Sequence, residues 1–113
     1  MSIFKKSQKN PGKTPKIDDM VANRDYKGLT KLLNDKDNEI MRCAAVMGLA
    51  KIGDTKAVKA LSTALLDRAQ IVRFTAGHEL MKIDPTRSAM IIKSVFKEGE
   101  YRMFELFCQE LDR

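Results

Sequence analysis

The residue pair His78-Glu79, in the stretch GHEL, is the most metal-like feature of this sequence, because an imidazole beside a carboxylate suits iron or zinc. A working metal centre gathers such donors from several elements, and His78 is the only histidine in the chain. The pair therefore reads as ordinary polar side chains on a helix surface. Cys43 and Cys108 fall inside helical patterns and lack the close spacing of a zinc knuckle or a disulfide framework, so both are expected as reduced thiols. Gly12, Gly28, Gly48, Gly53, Gly77 and Gly99 are scattered and form no phosphate-cradling loop. No nucleophile stands in a Ser/His/Asp or Cys/His set. The sequence predicts a non-enzymatic protein, with no catalytic residue, no metal ligand and no cofactor.

The remaining chemically conspicuous residues are cations. Lysine and arginine number 21 against 15 acids, a net charge of +6. Five of the lysines, Lys5, Lys6, Lys9, Lys13 and Lys16, lie in the opening MSIFKKSQKNPGKTPK, which holds no acid. Rich in lysine, with proline, glycine and serine, that segment cannot bury enough apolar surface to order itself. Residues 1–16 are thus expected as a flexible basic tail, serving mainly to solubilise, and residues 17–113 as the folded domain. With 43% hydrophobic residues the domain can bury a modest core, and no apolar run reaches the length of a membrane span. The start MSIFKK lacks the apolar stretch of a secretory signal, so the expected location is the cytoplasm.

What positions these side chains is a repeat. Shifted by 31 residues, Arg73 falls on Arg42, Ala76 on Ala45, Leu80 on Leu49 and Ile83 on Ile52. The segments between them recur as well, with Leu61, Ala64, Leu65 and Asp67 answering Leu29, Leu32, Leu33 and Asp35. A unit of two helices written more than once is the signature of stacked hairpins, each too small to bury its own apolar stripe. Gly53-Asp54 reads as a helix stop followed by a cap, and Asp84-Pro85 as a cap followed by a favoured first residue. Helices are predicted at about 25–34, 38–52, 55–66, 69–83, 85–97 and 100–112, with a short turn at 17–23; no segment alternates as a strand would.

The stretch NEIMRCAAVMGLAKIGDTKAVKALSTALLD closely resembles the short HEAT-like repeat first noted in phycobilisome lyase subunits. The matching places are Met41-Arg42, Ala44-Ala45, Leu49, Gly53-Asp54, and Leu61, Leu65, Leu66 and Asp67. The next copy keeps Val72-Arg73, Ala76, Leu80 and Asp84-Pro85, with Thr75 where an alanine is usual. The resemblance spans roughly residues 17–98 and implies an all-α fold, a right-handed α-solenoid of about three HEAT-like helical hairpins. It does not imply one activity, since such repeats occur in scaffolds, transport factors, lyase subunits and a few enzymes. HEAT-like deoxyhypusine hydroxylases bind two irons through His-Glu pairs, but here the pair occurs once, five residues beyond Arg73. HEAT-like DNA glycosylases wall a base with aromatics, and this chain has no tryptophan.

On this reading Arg42 and Arg73 brace the joints between units, each reaching the loop before its helix or the neighbouring hairpin. The second helix of each hairpin lines the concave face, where Tyr26, Lys27 and Lys31, then Lys56 and Lys59, then Arg87, Lys93 and Lys97 are expected to point outward. The charged members of that set are all basic. The expected ligand is an acidic segment of a protein partner; the competing reading is a nucleic-acid-associated accessory protein that uses the basic tail and the concave lysines together. In the last helix Tyr101, Phe104, Phe107 and Leu111 present more apolar surface than one neighbour needs. The helix is therefore expected either to cap the stack or to offer those four residues to a second copy.

Overall fold

Asp25, Asn38, Asp54 and Asp84 each aim a side-chain oxygen at the backbone N–H three residues on, and each marks the start of a helix. The computed structural model describes residues 16–113, and among these the chain forms seven α-helices and no strand. They are α1 (Ile17–Ala22), α2 (Tyr26–Leu33), α3 (Glu39–Ile52), α4 (Thr55–Ala64), α5 (Gln70–Ile83), α6 (Pro85–Val95) and α7 (Glu98–Leu111). The expected tail lies outside the described residues except for Lys16.

The helices pair as hairpins, α1 with α2, α3 with α4 and α5 with α6, and α7 adds one more helix at the end. α1, α3, α5 and α7 stand side by side in one layer, and α2, α4 and α6 form the other. Leu29, Leu49, Leu61, Leu65, Val72 and Ile92 are fully buried along the seam between the layers, so the core is continuous across the units. This is an all-α helical repeat solenoid, elongated to 49 × 27 × 26 Å.

Local chemistry sets the ends of the helices within two residues of their sequence-based positions. α3 stops at Gly53, whose left-handed φ of 63° favours a residue without a Cβ, and Asp54 caps α4 immediately after. α4 ends at Ala64 rather than near 66, because Leu65, Leu66 and Asp67 close onto Ser62, Thr63 and Ala64 with tighter three-residue bonds. α6 ends at Val95 rather than 97, because Phe96 turns extended and buries its ring.

The two repeating arginines tie successive units together. Arg42 donates to both carboxylate oxygens of Asp67 at 2.9 and 3.1 Å, and its remaining nitrogen donates to the carbonyls of Asp35 and Lys36. One unit further on, Arg73 donates to the Asp67 carbonyl at 2.8 Å and to the Glu100 carboxylate. Each guanidinium thus holds the loop before its own helix and an acid of the following unit. Glu100 plays for the last joint the part that Asp67 plays for the one before.

α7 closes the stack. Phe104 is 2% exposed, with its ring 5.6 Å from that of Phe74 and 5.5 Å from that of Phe96. Gly77 makes room for it: a Cβ there would stand 2.7 Å from the Phe104 ring. Phe104 is accordingly withdrawn from the residues expected to meet a second copy, because its side chain lies in the core. Tyr101 and Phe107 are half-buried beside it, and Leu111 is exposed.

Candidate protein-binding face

The three helices of the second layer, α2, α4 and α6, contain no aspartate or glutamate. Each carries two cations: Lys27 and Lys31, Lys56 and Lys59, Arg87 and Lys93. All six are exposed, and among the described residues none lies within ion-pair distance of a carboxylate. The opposite layer ends in acid, with Asp18 and Asp19 on α1 and Glu98, Glu100, Glu105 and Glu110 against Arg102 on α7. Charge is therefore segregated by layer. Like charges on one face repel each other, so this arrangement adds nothing to folding and leaves a field of one sign available to a ligand.

The acids nearest this face are occupied with structure. Asp25, Asp54 and Asp84 cap α2, α4 and α6 in turn. Asp54 also accepts from the Tyr26 hydroxyl and from Arg24 at 3.0 Å. Those contacts, the Tyr26 bond first and then the Ala57 N–H and the Arg24 charge, hold the Asp54 carboxyl below its ordinary value of 3.8.

Lys27 and Lys31 are exposed on α2 and Lys56 and Lys59 on α4, with the Lys56 ammonium 5.4 Å from the centre of the Tyr26 ring. Tyr26 is half-buried between the two helices and so contributes an edge rather than a full surface. Lys93 turns toward the end of the stack, 5.5 Å from the Tyr101 ring, and Lys97 lies beyond α6, at the start of α7. Arg87 borders a groove between α4 and α6 of about 390 Å³, lined also by Thr55, Val58, Ser62, Asp84 and Ile91. The groove escapes sequence reasoning because it depends on how far apart two helices stand; α4 packs on α6 less extensively than on α2. Arg24 escapes it too. The residue has a left-handed φ of 49° and meets Asp54 from the neighbouring unit, and no local pattern marks such a contact.

His78 requires a correction. It is buried at 6% exposure beneath α7, not displayed on a helix surface, because Phe107 meets its ring edge-on and Asp112 takes its Nε2 at 2.9 Å. Glu79 lies 3.8 Å from the other ring nitrogen and 3.8 Å from the Lys82 ammonium, beyond hydrogen-bond distance of both. No group of three or more histidine, cysteine, aspartate or glutamate side chains converges among the described residues. Cys43 and Cys108 are free thiols, and burial pushes Cys108 up to about 11, which keeps it protonated at neutral pH. Among the described residues no helix is long and apolar enough to cross a membrane.

Stacked two-helix hairpins with a continuous seam and an arginine at each joint define a helical-repeat protein. The family model for HEAT repeats matches residues 26–104, well over half of the chain, and the chain belongs to that family. No curated protein and no solved structure matches it significantly. HEAT repeats generally mediate protein–protein interactions, and the family is typically a non-enzymatic scaffold.

Proposed function

We propose that this protein is a non-enzymatic interaction scaffold that binds an acidic segment of a partner protein across the face formed by α2, α4 and α6. The observation that carries the reading is the charge of those helices: six exposed cations, no acid, and no intramolecular ion pair among the described residues. A segment rich in aspartate and glutamate would neutralise that field and gain steered association. The free thiols suit a reducing compartment such as the cytoplasm.

Nucleic acid is the competing ligand for the same charges. Phosphate binding weakens steeply with salt, because neutralising each phosphate releases counterions. The test is fluorescence anisotropy with the full chain, using a labelled Glu/Asp-rich peptide and a labelled DNA duplex over a salt series. Charge reversal at Lys27→Glu, Lys31→Glu and Lys59→Glu together should weaken the peptide by about tenfold or more, and Arg102→Glu on the opposite layer should not. Tighter binding of duplex than of peptide at physiological salt would replace the protein ligand with nucleic acid.

A further inference from the structure

The first joint of the basic face shows what fills the space between two of these helices. Between α2 and α4 the Tyr26 ring occupies the gap, Lys56 lies over it, and its hydroxyl donates to the outer oxygen of Asp54, the cap of α4. The second joint, between α4 and α6, repeats the surrounding groups. Arg87 stands 31 residues after Lys56, one place further from its cap, and Asp84 caps α6 as Asp54 caps α4. Val58, however, stands at the counterpart of Tyr26, and the side chain that would fill the joint is missing. The groove of about 390 Å³ is the result, with Val58, Ile83 and Ile91 as apolar walls and Arg87 and Asp84 at its border. One oxygen of Asp84 accepts the Arg87 N–H at 3.2 Å, and among the described residues the other has no hydrogen-bond partner.

We propose that the α4/α6 groove receives a tyrosine side chain from the partner, placed as Tyr26 is placed in the first joint: Arg87 over the ring and Asp84 accepting from the hydroxyl. This rests on the acidic-segment reading above, and it makes the partner an acidic segment with an aromatic anchor. The volume is of pocket size, and the chemistry is matched, since an aromatic ring has an apolar body for Val58 and Ile91 and a polar tip for Asp84. Arg87, having no ion pair among the described residues, is available both to the ring and to a flanking carboxylate of the same segment.

The test compares three labelled nine-residue peptides, identical in their four acidic residues on either side of a central tyrosine, phenylalanine or alanine, by anisotropy on the full chain. The tyrosine peptide should bind about tenfold tighter than the alanine peptide, with phenylalanine between them. Val58→Tyr, which fills the groove as Tyr26 fills the first joint, should abolish that preference, so that the tyrosine and alanine peptides bind alike. Arg87→Ala, which leaves the helix packing alone, should narrow the preference as well. Equal binding of the tyrosine and alanine peptides would overturn the groove while leaving the basic face standing. Binding of none of the three would overturn both.

Discussion

At the scale of single residues, the joints depend on arginines whose charge is enclosed. The Arg42 and Asp67 side chains are 6% and 11% exposed, and the bidentate bond to Asp67 raises the Arg42 pKa above its ordinary value. Removing one partner leaves the other carrying an unpaired, poorly solvated charge. Arg42→Ala should lower stability by about 3 kcal/mol in urea denaturation, and Asp67→Asn should cost less than Arg42→Ala because it keeps an acceptor. Asp54 provides a pH test. Because its folded pKa is depressed, it stabilises the fold above the unfolded carboxylate value, and that contribution is lost as pH falls through the lower folded value. Carboxyl NMR should place the Asp54 midpoint below 3.8, and Tyr26→Phe should move it upward. The brace formed by Arg42 is legible in the sequence, because it repeats with Arg73 and with the acids before it. The roles of His78 and Glu100 are not, because both are fixed by α7 folding back over α5, a contact between residues far apart in the chain.

At the scale of elements, α7 completes the first layer by inserting Phe104 among Phe74, Phe96 and Tyr101. Its apolar width is visible in the sequence, and its use is not, because periodicity gives a face without saying what meets it. Phe104→Glu would place a carboxylate against three rings with no partner. In a stack each unit leans mainly on its neighbours, so the damage should spread unevenly. Hydrogen exchange should show α7 and the second half of α5 losing protection while α3 and the first half of α4 keep it. A variant that retained full protection in α7 would contradict the cap. The hairpins themselves were readable from Gly53-Asp54 and Asp84-Pro85, whereas the end of α6 depended on Phe96 finding a buried site.

At the scale of the whole molecule, the layers have different work. The layer of α1, α3, α5 and α7 contains both joint arginines and ends in acidic helices; the layer of α2, α4 and α6 offers cations alone. The repeat places Lys27 and Lys59 at equivalent positions, and Lys56 and Arg87 likewise, so the recurrence of basic residues on the second helices is legible in the sequence. What the sequence could not give was the unevenness of the joints, one filled by Tyr26 and the next open beside Val58. Solution NMR of the full chain, titrated with an acidic peptide, would read out the binding face residue by residue. The amides that shift should cluster on α2, α4 and α6, around Lys27, Lys59 and Arg87. Shifts gathered on α3, α5 and α7 instead would contradict that placement.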